Sequence, residues 1–355
     1  MSSTASASPR NSTNGRASVP LMLRGLRTWF RVAAAVAPRA AERHAASLFL
    51  TPPRAKANGV VLEDPAAGRY ALEVREGELR VAAWSWGRGP AVLLAHGWGG
   101  AAADMAPLAE RLQAAGYRAV LFDFPAHGRS AGRRTNMLEW LRMIRAVAAA
   151  VGPVHALAGH SFGAAALAIA LAEHEMDVRG AVLLAPAIGP GLFVDRFTGM
   201  IGLPADRAEG MMRHITETIG REPRSLDARW AATHLHVPAL VVHDPADREV
   251  PWSHAESIAD AWTGSRLVAA EGLGHRRLLR DERILATVTD FIHALPRQSV
   301  LAATAGAPPA RRSMGDAFGP ALRVLKKPQL QNLPLFKEGA IEVQDEGSQV
   351  LAQIL

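Results

Sequence analysis

Ser161 stands in Gly159-His-Ser-Phe-Gly163, directly after the apolar run Val154–Ala158 and before the helix-like stretch Phe162–Glu173. A strand that turns sharply into a helix lifts the side chain at the turn clear of the sheet, and a helix N-terminus supplies amide N–H groups beside it. The two glycines are expected where strand and helix pass too close for side chains. A serine in that position is a candidate nucleophile. It needs a base to take its proton and an acid to orient the base.

Thirteen histidines compete for the role of base, so position decides. His275 follows the strand-like Arg266–Ala269 within the loop Glu271-Gly-Leu-Gly-His275, where glycines let a side chain swing toward the serine. His44, His174, His214 and His293 read as surface or packing residues, and His155, on a buried strand, points into a helix layer. Two aspartates compete as the acid in Val241-Val-His-Asp-Pro-Ala-Asp-Arg-Glu-Val-Pro251. Asp244 ends the strand, while Asp247 lies three residues on, inside the turn, and is the favoured one. The order Ser161, Asp247, His275 suits residues carried on successive strand ends of one sheet.

The 355 residues contain no cysteine, which removes disulfides, thiolate metal sites and a thiol nucleophile together. Hydrophobic residues make up 49%, enough for a buried core and too many for a disordered chain. No metal and no organic cofactor is expected.

The elements that must hold these residues are legible as alternating runs. Tyr70–Val74 and Leu79–Trp84, joined through Gly77, read as an antiparallel hairpin. Ala91–Ala95, Ala119–Phe122, Val154–Ala158, Gly180–Leu184 and Ala239–Val242 are continuous apolar runs of the buried-strand type, with helical stretches near 103–115, 137–151, 163–174, 254–262 and 280–294. The alternation predicts an α/β protein with a mostly parallel central sheet and helices on both faces. Residues 187–236 are too long for a simple crossover and predict a helical cap over one end of the sheet. The expected organisation is therefore a disordered start plus basic helical extension (1–60), core in two parts (61–186 and 237–296), cap (187–236), linker (297–314) and tail (315–355).

The net charge of +7 is concentrated at one end. Residues 1–60 hold nine basic residues against one acid, Glu42, whereas 61–299 hold 25 arginines against 27 acids. A nucleic-acid surface would have to lie in the first sixty residues, and nucleic acid is not the expected partner. Residues 21–50 read as helix with a break at Pro38, and Arg24, Arg27 and Arg31 share one face. The expectation is a leading helix packed on the body, its apolar positions covering the sheet's edge, so that removing 1–60 leaves the chemistry intact. Peripheral membrane contact through 21–50 is the alternative. The expected compartment is the cytoplasm, with association at a membrane surface as its variant.

Taken together, residues 70–296 resemble an α/β-hydrolase. His96-Gly-Trp-Gly-Gly100 resembles that family's oxyanion loop, which implies the Trp98 and Phe162 amides as oxyanion donors. Asp123-Phe-Pro-Ala-His-Gly-Arg-Ser130 is similar to a conserved turn of the family, with Ala126 in place of a glycine. Asp244-Pro-Ala-Asp-Arg-Glu-Val-Pro251 matches the family's acid loop with Asp244 at its glycine, and this match selects Asp247. The two departures bear on loop shape. The resemblance implies a triad of Ser161, His275 and Asp247 and an acyl-enzyme route. A serine rather than an aspartate at the turn argues against dehalogenase and epoxide-hydrolase chemistry. Hydrolysis of small or medium carboxylic esters is the leading expectation. A serine peptidase or acyltransferase on the same triad is the second, and a non-catalytic binding or RNA-associated protein the third. A separate segment, Leu333–Gln349, resembles the opening of the catalytic domain of RNA 5-methylcytosine methyltransferases. Without cysteines or the S-adenosylmethionine turn, it is expected to be inactive.

Overall fold

Five short runs of apolar residues have every position buried, which only a sheet covered on both faces allows. The structure, a computed structural model, describes residues 21–53, 59–174, 176–296, 342–344 and 349–351. Helices α1 (Leu21–Val36) and α2 (Pro38–Phe49) lead into β1 (Arg69–Glu76), β2 (Leu79–Trp86), β3 (Ala91–Ala95), α3 (Ala106–Ala114) and β4 (Arg118–Phe122). Then come α4 (Met137–Val151), β5 (Val154–His160), α5 (Phe162–His174) and β6 (Gly180–Leu184). Helices α6 (Val194–Ile201), α7 (Ala208–Ile219) and α8 (Ala228–Ala232) occupy the long connection. Strand β7 (Ala239–His243), α9 (Trp252–Ala261), β8 (Ser265–Ala269), the short α10 (Gly274–Arg277) and α11 (Glu282–Ala294) complete the body.

Eight strands form one sheet in the order β1-β2-β4-β3-β5-β6-β7-β8. β1, β2 and β4 pair antiparallel; every pair from β4 to β8 is parallel. One face carries α4, α5, α8 and α9 and a core of residues such as Leu93, Phe122, Ile144 and Leu157. The other carries α3 and α11 over residues such as Leu94, Leu121, Val182 and Val288. His155 lies on that second face, its Nε2 3.4 Å from the Ile292 carbonyl of α11.

The leading helices do not cover the sheet's edge, which corrects that expectation. Phe30 and Ala34 of α1 and Ala41, Ala45 and Ala46 of α2 form a third apolar cluster with Ile201, Met211, Met212 and Ile215 of α6 and α7. Of the segment expected to be a cap (187–236), α6 and α7 therefore form one layer with α1 and α2 from far away in sequence, whereas α8 packs on the sheet face with α5 and α9. The periodicity of α1 and α2 announces an apolar face, but a face has no address in sequence. Most of the segment resembling the methyltransferase opening lies outside the described residues; 342–344 and 349–351 pair with each other as the antiparallel strands β9 and β10.

Candidate active site

Four strand ends converge on one spot, at the point where the parallel order reverses around β3, the usual crevice of such sheets. Ser161 sits between β5 and α5 with φ +54°, a left-handed conformation that costs a non-glycine residue stability and holds its side chain up at the turn. The neighbouring glycines are required. A Cβ on Gly163 would lie 2.2 Å from the His96 carbonyl oxygen, and one on Gly159 2.9 Å from Ala164 N and Cα.

His275 Nε2 lies 2.9 Å from Ser161 Oγ, and its Nδ1 lies 2.7 Å from Asp247 Oδ2. The Asp247 side chain is fully buried. Burial by itself would raise its carboxyl, but contacts from His243 and His275 and the Val250 N–H outweigh that and hold it far below the usual carboxylate range. The Glu249 and Val250 amides donate to Oδ1 at 2.7 and 3.1 Å. Asp247 is thus kept ionised where it faces His275.

Asp244, the other aspartate, is buried too, and points elsewhere. Its Oδ1 accepts from the Ala246 amide at 2.8 Å and its Oδ2 from the Gly274 amide, so it fastens the loop that carries His275. By its likeness to the family's acid loop, Asp244 stands at a glycine position. The signal that could have assigned it is a carboxylate at a strand end beside a glycine-rich loop rich in free amides.

Trp98 and Phe162 also come together, their rings 5.5 Å apart edge to face. Phe162 opens α5, so its amide is one of the helix's unpaired N-terminal donors. The loop bearing Trp98 is tied down from beneath. His127 Nε2 accepts from the Gly99 amide at 3.0 Å, and His96 Nε2 accepts from Phe124 N–H at 3.1 Å. Each must then carry its proton on Nδ1, which donates to the Pro125 and Gly97 carbonyls respectively. Burial pushes His96 down to about 4 and His127 down to about 3, so both are neutral struts. His160, likewise lowered to about 3 by burial, donates from Nε2 to the His275 carbonyl at 2.8 Å. Asp123 accepts from the Ala102 and Arg129 amides, joining the oxyanion-type loop to the turn 123–130. In that turn Ala126 adopts φ +64°, taking the conformation of the glycine it replaces.

Above the strand ends lies a cavity of about 910 Å³. Ser161, His275, Trp98 and Phe162 line its floor, and Phe193, Phe197, Met200 and Ile215 of the cap line its roof. Residues 48–53, at the end of α2 and beyond, form a wall, with Phe49 packed on Phe197 at 5.1 Å. Sequence reading missed these wall residues. Asp104 and Glu249 are the acids at the edge; Arg276 binds both oxygens of Glu249 at 3.2 Å. Among the described residues no group of three or more metal-ligating side chains is close enough to hold a metal ion.

Residues 89–215 match the family described as "Serine aminopeptidase, S33". A pimeloyl-[acyl-carrier protein] methyl ester esterase of Xanthomonas campestris is 28% identical over 251 residues, covering 59% of this chain and 98% of that protein. Among solved structures, esterase Pf2001 of Pyrococcus furiosus superposes with a TM-score of 0.53 at 20% identity, covering 69% of this chain and 97% of that one. The esterase EaEST of Exiguobacterium antarcticum gives 0.51 at 20% identity, over 63% and 99%. The sheet order, the flanking helices and these likenesses agree on one architecture: the chain has the α/β-hydrolase fold.

Proposed function

We propose that the protein is a serine hydrolase of carboxylic esters, acting through an acyl-enzyme. The observation that carries this reading is the unbroken contact chain from Ser161 Oγ through His275 to Asp247 at the floor of an apolar cavity. In this reading His275 Nε2 takes the hydroxyl proton as Ser161 Oγ attacks the ester carbonyl. The amides of Trp98 and Phe162 receive the developing oxyanion. His275 then delivers the proton to the departing alkoxide and activates a water that releases the acid. Asp247 fixes the imidazole tautomer and balances its transient charge. All proton movements are handled by these side chains.

The cavity's size and apolar roof favour an acyl group of small to medium length. The esterase names of the similar proteins support ester over amide cleavage. The aminopeptidase family name gives the second reading its support, since Asp104 and Glu249 could face an amino terminus. It is the weaker of the two: Glu249 is already neutralised by Arg276, and Asp104 accepts from the Ala101 amide at 2.9 Å. The test is labelling by a fluorophosphonate probe together with turnover of p-nitrophenyl esters of rising chain length and of amino-acid p-nitroanilides. Ester turnover and labelling, both lost in Ser161→Ala, are expected, with a rate loss on the order of 10⁶. Labelling that survives in Ser161→Ala ends the proposal; p-nitroanilide turnover exceeding ester turnover replaces it with the peptidase reading.

A further inference from the structure

Helix α1 has two faces, and only one is used. Phe30 and Ala34 are buried against the cap, and Arg27 Nε is tied to the Met200 carbonyl of α6 at 3.0 Å. On the outward face Met22 is 88%, Val36 80%, Val32 58% and Trp29 47% exposed. Helical spacing places these four side by side in a stripe running the length of the helix. Exposed large apolar residues are few elsewhere in the described chain, so half of them falling on one 16-residue helix is a concentration.

The exposed charges of α1 and α2 are of one sign. Arg24 and Arg31 on α1 and Arg39 and Arg43 on α2 are exposed, while Glu42, the sole acid of 21–53, is buried. Trp29 leans on His44 of α2 at 5.1 Å, so stripe and arginines share a continuous surface over the two helices. An apolar stripe bordered by arginines, with a tryptophan among them and no exposed carboxylate on either helix, matches the layered chemistry of an anionic membrane surface: phosphates outside, acyl chains beneath. A protein partner would have to offer a groove as acidic as it is apolar, and a nucleic acid has no use for Met22 and Val36. At 16 residues α1 is too short to span a bilayer, and no helix among the described residues is long and apolar enough to do so.

We propose that α1 docks the protein on the surface of an anionic bilayer, with Met22, Trp29, Val32 and Val36 set into the headgroup layer and the exposed arginines on lipid phosphates. The location gives docking a consequence. Helix α2 runs roughly 18 Å from this surface to the 48–53 wall of the cavity, so the element that meets the membrane also shapes the pocket.

The test uses the full chain in vesicle flotation, with phosphatidylcholine vesicles against vesicles containing phosphatidylglycerol, at low and physiological salt. Binding to the anionic vesicles alone, weakening with salt, is expected. Met22→Ser/Val36→Ser should lower it at least tenfold, and Arg24→Gln/Arg31→Gln roughly twenty-five-fold at low salt, at about fivefold per arginine. Neither pair is near Ser161, so probe labelling and soluble-ester turnover should match wild type, which separates failure of docking from failure of the hydrolase reading. No binding to anionic vesicles overturns the proposal. So does an unchanged affinity of Met22→Ser/Val36→Ser with RNA competing equally, which would mark a general polyanion site. Self-association that Met22→Ser/Val36→Ser abolishes would overturn it too, by making the stripe an interface between copies.

Discussion

The Asp247 carboxylate is gripped by two histidines at one oxygen: His243 Nε2 lies 3.4 Å from the same Oδ2 that meets His275 Nδ1 at 2.7 Å. His243 is fully buried and its Nε2 also lies 3.0 Å from the Val250 carbonyl, so a single N–H is shared between the acid and the loop that surrounds it. His243 is thereby a positioning residue for Asp247. Replacing it by Phe removes a hydrogen bond to a charged group, worth about 1.5–3 kcal/mol. We expect kcat for ester turnover to fall about ten- to a hundredfold with KM little changed, and the pH–rate profile to shift. A KM effect with unchanged kcat would refute the assignment.

The two aspartates should separate by role. Asp247→Asn leaves His275 facing an amide and is expected to cost about 10⁴ in turnover, as a wrong tautomer does. Asp244→Asn sets an amide against the Gly274 N–H and loosens the His275 loop without touching the imidazole. A loss of about ten- to a hundredfold, with a lower unfolding midpoint in urea, is expected. Equal losses from both would merge the two roles.

Phe49 belongs to the leading extension and yet faces the cavity beside Phe197. Phe49→Ala should enlarge the pocket and move the preference among p-nitrophenyl esters toward longer chains, read as a change in relative kcat/KM. Removing residues 1–53 is expected to do more than trim an appendage. It would strip the wall of the pocket and expose Met211, Met212 and Ile215, giving an aggregating or strongly destabilised protein by thermal scan.

Ala126 holds φ +64°. Glycine adopts that conformation without the Cβ penalty, so Ala126→Gly should stabilise by up to about 1 kcal/mol despite the extra chain entropy of glycine when unfolded. Chemical denaturation measures it; a destabilised variant would show that the Ala126 methyl contributes packing that outweighs the strain.

Acid should weaken the fold through its neutral struts. His96, His127 and His160 have folded values of about 4, 3 and 3, below the ordinary 6.5, so below pH 6.5 the unfolded chain binds protons that the folded one refuses. Stability is fully present above pH 6.5 and falls as the pH drops toward 3–4, by up to about 1.4 kcal/mol per pH unit for each histidine. Denaturation at pH 7, 6 and 5 should show the slope, and His127→Gln should flatten it. Parallel curves for the variant and wild type would remove His127 from the account.

The strands and helices of the core could be read from apolar runs and helical spacing because each is a local pattern. Ala91–Ala95 and Met137–Val151, for example, emerge with the bounds their residues suggest. Ser161 and His275 stand out as candidates because strand ends and glycine turns announce where side chains can gather, whereas Asp247 is selected over Asp244 by its likeness to the family's acid loop. What escaped reading is relational. Nothing local in His243 tells which carboxylate it will meet, and nothing in Phe49 tells that it will face a residue almost 150 positions away. The partner of α1 and α2 was misjudged for the same reason: an apolar face shows that burial is needed and leaves open against what.

The split cap also has a cost in time. On the ribosome, α1 and α2 emerge well before α7, on which they pack and which follows roughly 160 residues later. At about 5–20 residues per second, Phe30 and its neighbours wait on the order of ten seconds without their partners. Throughout that interval the nascent chain carries an apolar, positively charged segment whose burying partner has yet to be made.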